Sequence, residues 1–127
     1  MNIDLKQIST AALAYLGDSV WELSVRKMLV GKGISDSARL NKEALHYVTA
    51  KAQAGAVKRI LDVFSEQEDA VYRRGRNIGH TNVPKHATVM EYRMATGLEA
   101  LFGYLYLSGC SARIEELFAL AFEEGEE

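Results

Sequence analysis

Three features of this sequence predict an all-α domain of about six helices. Proline occurs once in 127 residues, at Pro84. No segment alternates apolar and polar residues for long enough to make a convincing strand. Successive segments instead carry apolar residues at helical spacing, opened by capping residues and separated by mostly short connections. The first helix is expected to start at Ser9 or Thr10 and to run to about Val30. Leu13, Leu16, Val20, Leu23 and Lys27 fall at helical spacing within it, and Gly31-Lys32-Gly33 ends it. Ser35 or Asp36 opens a short second helix to about His46. Thr49 opens a third, whose apolar stripe is Ala52, Ala56, Ile60 and Val63. Ser65-Glu66-Gln67-Glu68 has the capping-box pattern, and the fourth helix it starts should end near Gly75. Glycine, asparagine and proline mark a loop from Arg76 to Ala87. A long helix from about Thr88 to Leu107 presents Leu98, Leu101, Phe102 and Leu105 on one face. Ser108-Gly109 breaks it, and Ser111 is expected to cap a last helix that frays into an acidic end.

Composition narrows the class. One domain spanning residues 1–127 is expected, with an acidic tail at about 123–127 that is a solvated terminus. Apolar residues make up 48% and charged residues 25%, ordinary proportions for a globular protein. A chain of this length buries about two-thirds of its unfolded surface and needs no disulfide or structural metal. Its single cysteine, Cys110, is expected to be a small buried residue and suits a reducing, cytoplasmic compartment. The longest uncharged stretch, Ala100 to Ala112, is too short to span a bilayer, and the N-terminus lacks the pattern of a signal peptide. Secreted, disordered, fibrous and membrane-spanning classes are thereby disfavoured.

The net charge of −2 hides an uneven distribution. Six glutamates and no Lys or Arg lie between Glu115 and Glu127, which leaves fifteen basic against eleven acidic residues before them. Ala70 to Met90 holds no acidic residue but carries Arg73, Arg74, Arg76 and Lys85, with His80 and His86. Local charge rather than the total decides whether a phosphate backbone is attracted. A solvated basic loop is the competing reading, as is pairing of the arginines with Glu66, Glu68, Asp69 or the tail.

Two carboxylates on apolar helices carry the chemical signal. Asp18 follows Gly17 in Leu13-Ala14-Tyr15-Leu16-Gly17-Asp18, and Glu99 sits in Thr96-Gly97-Leu98-Glu99-Ala100-Leu101. An acid on such a helix must be paired, solvated in a cleft, or bound to a cation. Neighbouring glycines would let another helix approach closely. If the helices pack, the pair could share one Mg²⁺, which takes oxygen ligands and keeps several waters beside one or two carboxylates. Such an ion activates water and neutralises charge on a phosphodiester. The alternative is that each carboxylate pairs with an arginine such as Arg26 or Arg93.

The order of residues adds a resemblance. Leu16-Gly17-Asp18-Ser19-Val20 resembles the signature of the ribonuclease III catalytic domain, and Leu98-Glu99-Ala100-Leu101 its second acidic motif. Tyr47 to Ala54, Arg73-Arg74-Gly75-Arg76-Asn77, Val83-Pro84-Lys85 and Tyr92-Arg93 to Tyr106-Leu107 extend it, in order, to about Gly109. The likeness is closer to the branch made of a catalytic domain alone, Mini-ribonuclease III. It implies an endoribonuclease acting on double-stranded RNA as a homodimer, with one site per subunit, staggered cuts and a short 3′ overhang. Asp18 and Glu99 would be the catalytic and metal-holding residues, with Mg²⁺ as cofactor and Mn²⁺ as a substitute. The implied substrate is the 23S ribosomal RNA precursor, trimmed at its termini, and a ribosomal protein is a further partner to look for. Arg73, Arg74, Arg76, Asn77, Lys85 and His86 would bind RNA, where A-form duplexes are read mostly by shape and 2′-hydroxyls.

Departures from the larger enzymes bear on mechanism. Those carry acids where this chain has Ala14 and Thr96, so one ion per site is favoured over two. The same neutral positions support a rival reading, a non-catalytic RNA-binding module on this fold. With no double-stranded-RNA-binding domain in the sequence, affinity is expected from the catalytic domain itself. Among lesser candidates, Glu22 is expected on the helix surface, four residues beyond Asp18. His80 and His86 have too few companions for zinc. Trp21, Tyr15, Tyr104 and Tyr106 read as core or subunit-interface residues. Lys51 and Gln53 match the family without a distinct chemical task.

Overall fold

The computed structural model describes residues 4–78 and 85–122. Among them run α1 (Thr10–Gly31), α2 (Ser37–Val48), α3 (Ala50–Ile60), α4 (Glu66–Arg76), α5 (Val89–Leu107) and α6 (Ser111–Phe122), with single 3₁₀ turns at Leu5–Gln7 and Leu61–Val63. Local chemistry sets each start. The side chains of Ser9, Asp36 and Thr49 accept from Ala12, Arg39 and Ala52 N–H groups, at 3.0, 2.9 and 3.1 Å. Reciprocal capping boxes open α4 at Ser65 and Glu68 and α5 at Thr88 and Glu91. Gly33 and Gly109, at φ +87° and +74°, turn the chain after α1 and α5 in a conformation that L side chains rarely adopt.

Helix α5 is the axis, with α1, α3, α4 and α6 packed around it. Nine of its residues are buried, among them Leu98, Leu101, Phe102 and Leu105, as their spacing predicts. Trp21 of α1 closes one end of the core. Its ring stands edge-on to Phe102 and Phe118, each at 5.1 Å, and its indole N–H donates to the Tyr47 carbonyl at 2.9 Å. Burial of such an aromatic contributes roughly 2–3 kcal/mol, and the polar tip is satisfied. Helix α2 contributes no fully buried residue.

Close crossings replace side-chain packing where α5 meets α1 and α4. A Cβ on Gly17 would collide with the Glu99 carbonyl, and one on Gly103 with the Leu13 carbonyl. Gly75 of α4 lies equally close to Gly97 and Ala100. The glycines thus bring helices together as the sequence suggests.

Several expectations need correction. Leu23, placed in the α1 stripe by its spacing, is exposed, because it lies beyond the edge of the buried face. Val63 belongs to the 3₁₀ turn after α3 and is exposed, so the stripe stops at Ile60. Cys110 is only partly buried. Ser111 is the first residue of α6 rather than its cap; Cys110 precedes it and its carbonyl accepts from Ile114 N–H at 3.1 Å. Helix α4 continues to Arg76, one residue past Gly75, with Asn77 as its C-cap. The remainder of the expected loop, with His80 and Pro84, falls partly outside the described residues, as does the 123–127 tail.

Candidate active site

The α1–α5 crossing sets the two carboxylates side by side. Asp18 follows the glycine that touches Glu99's own backbone, and both line a cavity of about 310 Å³ with Ala14, Tyr15, Ile78 and Thr96. Asp18 is exposed at the mouth and Glu99 is half-buried. Burial, then the adjacent Asp18 charge, pushes the Glu99 carboxyl up to about 8, against the pull of a hydrogen bond from Gln53. Like charges at close range in a partly dry site repel, so this pair is poised for a proton or a cation.

No arginine relieves it. Arg26 pairs with Glu22 four residues away, at 3.1 Å, which places Glu22 on the helix surface. Among the described residues neither Asp18 nor Glu99 is in an ion pair with Arg26, Arg93 or any other cation. The alternative of arginine pairing therefore fails for both carboxylates. The neighbouring positions add no ligand. Ala14 is buried beside the cavity, and the Thr96 hydroxyl is turned back to the Tyr92 carbonyl at 3.0 Å. No cluster of three or more His, Cys, Asp or Glu occurs among the described residues. Two uncompensated carboxylates at an open cavity fit a hard divalent cation that keeps most of its water, and do not fit an all-protein cage.

The expected RNA contacts are dispersed. Arg73 is paired with Asp69 at 2.8 Å, as the competing reading anticipates, with most of its side chain still exposed. Arg74, the next residue along α4, lines a cavity with Lys6, Ser9, Gln67 and Tyr104. Arg76 lies 5.9 Å from the centre of the Tyr72 ring and donates to Asn77 Oδ1 at 3.3 Å. Asn77, Lys85 and His86 are exposed, and Ile78 reaches the carboxylate cavity. The C-terminal end of α4 thus borders the site, and its three arginines have different local partners. Trp21 is core as expected, Tyr104 is partly buried, and Tyr15 and Tyr106 are exposed in the single chain. The sequence left Gln53 without a task; the structure buries it and directs its amide to Glu99. A polar residue among Ala54, Ala56 and Val57 was the available signal.

An all-helical fold presenting this carboxylate pair is that of a ribonuclease III-type nuclease domain. The chain belongs to the ribonuclease III domain family, whose pattern matches residues 11–109. Over 120 residues it is 44% identical to the Mini-ribonuclease 3 of Thermoanaerobacter sp. (strain X514), covering 94% of this chain and 84% of that protein. It is 43% identical to the Mini-ribonuclease 3 of Enterococcus faecalis, covering 90% and 88%. A crystal structure of a protein from Fusobacterium nucleatum superposes with a TM-score of 0.82 at 34% identity, covering 94% of this chain and 95% of that one. The chain is thus an endoribonuclease of the ribonuclease III type, a family that acts on double-stranded RNA. No described helix is long and apolar enough to cross a membrane.

Proposed function

We propose that this chain cleaves double-stranded RNA with one Mg²⁺ per site held by Asp18 and Glu99. One observation carries the reading: two adjacent carboxylates at an open cavity, with no ion pair to a cationic side chain among the described residues. Mg²⁺, when bound, supplies the charge and Lewis acidity that phosphodiester hydrolysis requires. The chain does the rest. Asp18 and Glu99 hold the ion, and the Gly17 crossing fixes their separation through the backbone. The raised carboxyl of Glu99 would be drawn to its charged form beside a bound cation. Arg73, Arg74, Arg76, Asn77, Lys85 and His86 contact phosphates and 2′-hydroxyls along the duplex.

Two staggered cuts require two sites related by a twofold axis, so the active species is a homodimer. Support comes from exposed apolar residues on α1, where Tyr15 is 85% exposed and Leu23 and Val30 are more than half exposed. We propose as its natural duplex the termini of the 23S ribosomal RNA precursor, with a ribosomal protein as partner, in the cytoplasm.

A long RNA duplex incubated with the protein and Mg²⁺ tests the core of this reading. Discrete shorter products with 3′ overhangs are expected, and none without a divalent ion. Sedimentation should give about 28 kDa, twice the chain mass. A stable, fully active monomer contradicts the assembly, and an intact duplex at saturating Mg²⁺ contradicts the activity. Trimming of a precursor transcript, with and without ribosomal protein, tests the natural substrate.

A further inference from the structure

Helix α3 sets one buried polar side chain against the carboxylate pair. Gln53 is 3% exposed, and its neighbours Ala54, Ala56 and Val57 are buried with it. Its Nε2 donates to Glu99 Oε2 at 3.4 Å, the only side-chain hydrogen bond of Gln53 among the described residues. An amide taken from water into such surroundings is costly unless it is used, so packing alone does not account for a glutamine here. The bond is long, as contacts to catalytic groups often are before the ligands of the site are in place.

A neutral donor does something a cation cannot. Arg113 of α6 engages both oxygens of Glu68 and cancels its charge. Gln53 engages one oxygen of Glu99 without bringing a positive charge, so the pair is not neutralised and can still take a cation. We propose that Gln53 is a positioning residue for Glu99, its amide N–H fixing Oε2 so that the carboxylate presents its remaining oxygen to a divalent cation shared with Asp18. This rests on the metal-site reading above. It makes α3 the third helix of the site, and it explains why an amide rather than a lysine or arginine stands at this position. A group that orients a metal ligand typically contributes 10- to 100-fold to metal affinity.

The test is Mn²⁺ binding to the RNA-free protein, with free ion followed by electron paramagnetic resonance, for wild type, Gln53→Met and Asp18→Asn. Methionine keeps the length and bulk of glutamine and removes the amide. Affinity should fall about 10-fold in Gln53→Met, and binding at the site should be lost in Asp18→Asn. In parallel, the Mg²⁺ concentration for half-maximal cleavage should rise by a similar factor in Gln53→Met. Its turnover should recover at high Mg²⁺, and its ion-free melting temperature should match wild type. Wild-type Mn²⁺ affinity in Gln53→Met, alongside loss in Asp18→Asn, overturns the role of Gln53 and leaves the metal site standing. Wild-type affinity in Asp18→Asn overturns the site and the proposal with it. If Gln53→Met melts early, Gln53→Asn, which draws the amide back by one methylene, must still weaken Mn²⁺ binding. Unchanged affinity there overturns the assignment.

Discussion

Glu68 and Glu99 are both glutamates drawn into the protein on helices, Glu68 on polar α4 and Glu99 on apolar α5, and the fold treats them in opposite ways. Glu68 accepts from Arg113 Nε and Nη2 at 2.8 and 2.9 Å and from the Ser65 N–H at 2.8 Å. Its carboxyl is held below the usual range, chiefly by Arg113, despite burial. Glu99 meets a second carboxylate and a single amide donor, and it is pushed up to about 8. The first arrangement is electrically closed and ties α4 to α6. The second is open and costs stability until a cation arrives. Burial of an acid therefore does not mark a functional site by itself; burial left uncompensated does.

The sharpest way to break this contrast is to neutralise each member. Glu99→Gln and Asp18→Asn keep side-chain size and remove the charge proposed to hold the ion. Each should lower cleavage by more than roughly 10³-fold, the equivalent of several kcal/mol of lost Lewis-acid stabilisation. Duplex binding should be largely retained. An active Glu99→Gln enzyme at ordinary Mg²⁺ would defeat the assignment. Stability should move the other way. Between the ordinary carboxyl value of 4.5 and about 8, folded Glu99 holds a proton that the unfolded chain has lost. Ion-free wild type should therefore lose stability as pH rises through that window, and Glu99→Gln should abolish its contribution to the slope. Melting in chelator from pH 5 to 9 reads this directly.

Arg113→Ala is the counterpart on the closed side. It strands buried Glu68 and frees the Val63 carbonyl, which Arg113 also binds at 2.7 Å. A loss of about 3 kcal/mol is expected, with the metal site intact and cleavage retained below the lowered melting temperature. The pH dependence has the opposite sign to that of Glu99. A depressed folded pKa gives stability that is present above the unfolded value and lost as pH falls through the folded one. Wild type should show this acid loss, and Arg113→Ala should blunt it. Gly17→Ala sharpens the contrast by striking the crossing itself: its methyl would overlap the Glu99 backbone carbonyl, so the helices must part, at a cost of about 3 kcal/mol or more. Because that strain falls between the two carboxylates, cleavage and Mg²⁺ dependence should suffer alongside stability. A Gly17→Ala variant melting and cutting as wild type would show that the crossing does not set the site.

Much of this contrast is legible in the sequence. Ser65 and Glu68 announce their capping box, and the glycines beside Asp18 and Glu99 announce a close crossing. What the sequence leaves open is the partner of each acid. Arg113 lies 45 residues from Glu68, and Gln53 lies 46 from Glu99, separations at which local pattern carries no information. The choice at Arg73 is of another kind: the sequence offers Asp69, four residues away, as a helix-face partner, and a phosphate contact needs the same arginine. Leu23 and Tyr15 show a different limit. Periodicity identifies an apolar residue on a helix but does not say whether its own chain or a second copy covers it.

The comparison extends last to the arginines. Arg113 is committed to carboxylates on its own chain, with a quarter of its side chain exposed. Arg73 keeps 62% of its side chain exposed despite its bond to Asp69, and Arg74 is in no ion pair among the described residues. An exposed helical pair such as Arg73–Asp69 contributes only about 0.3–0.5 kcal/mol, so a phosphate can displace it at small cost. Changing Arg73, Arg74 and Arg76 together to Ala should therefore change the melting temperature little while weakening duplex binding. The dependence of that binding on salt should flatten, by roughly one unit of slope for each phosphate that is no longer neutralised. Because Arg73 is paired with Asp69 while Arg74 lines a separate cavity with Lys6 and Gln67, the single variants should differ in size of effect. Unrelated duplexes should suffer alike, and cleavage at saturating RNA should suffer less than affinity, since the carboxylates sit on α1 and α5. A lower melting temperature with an unchanged salt slope would instead place these arginines with Arg113, as groups that hold the fold and leave the RNA to be gripped elsewhere.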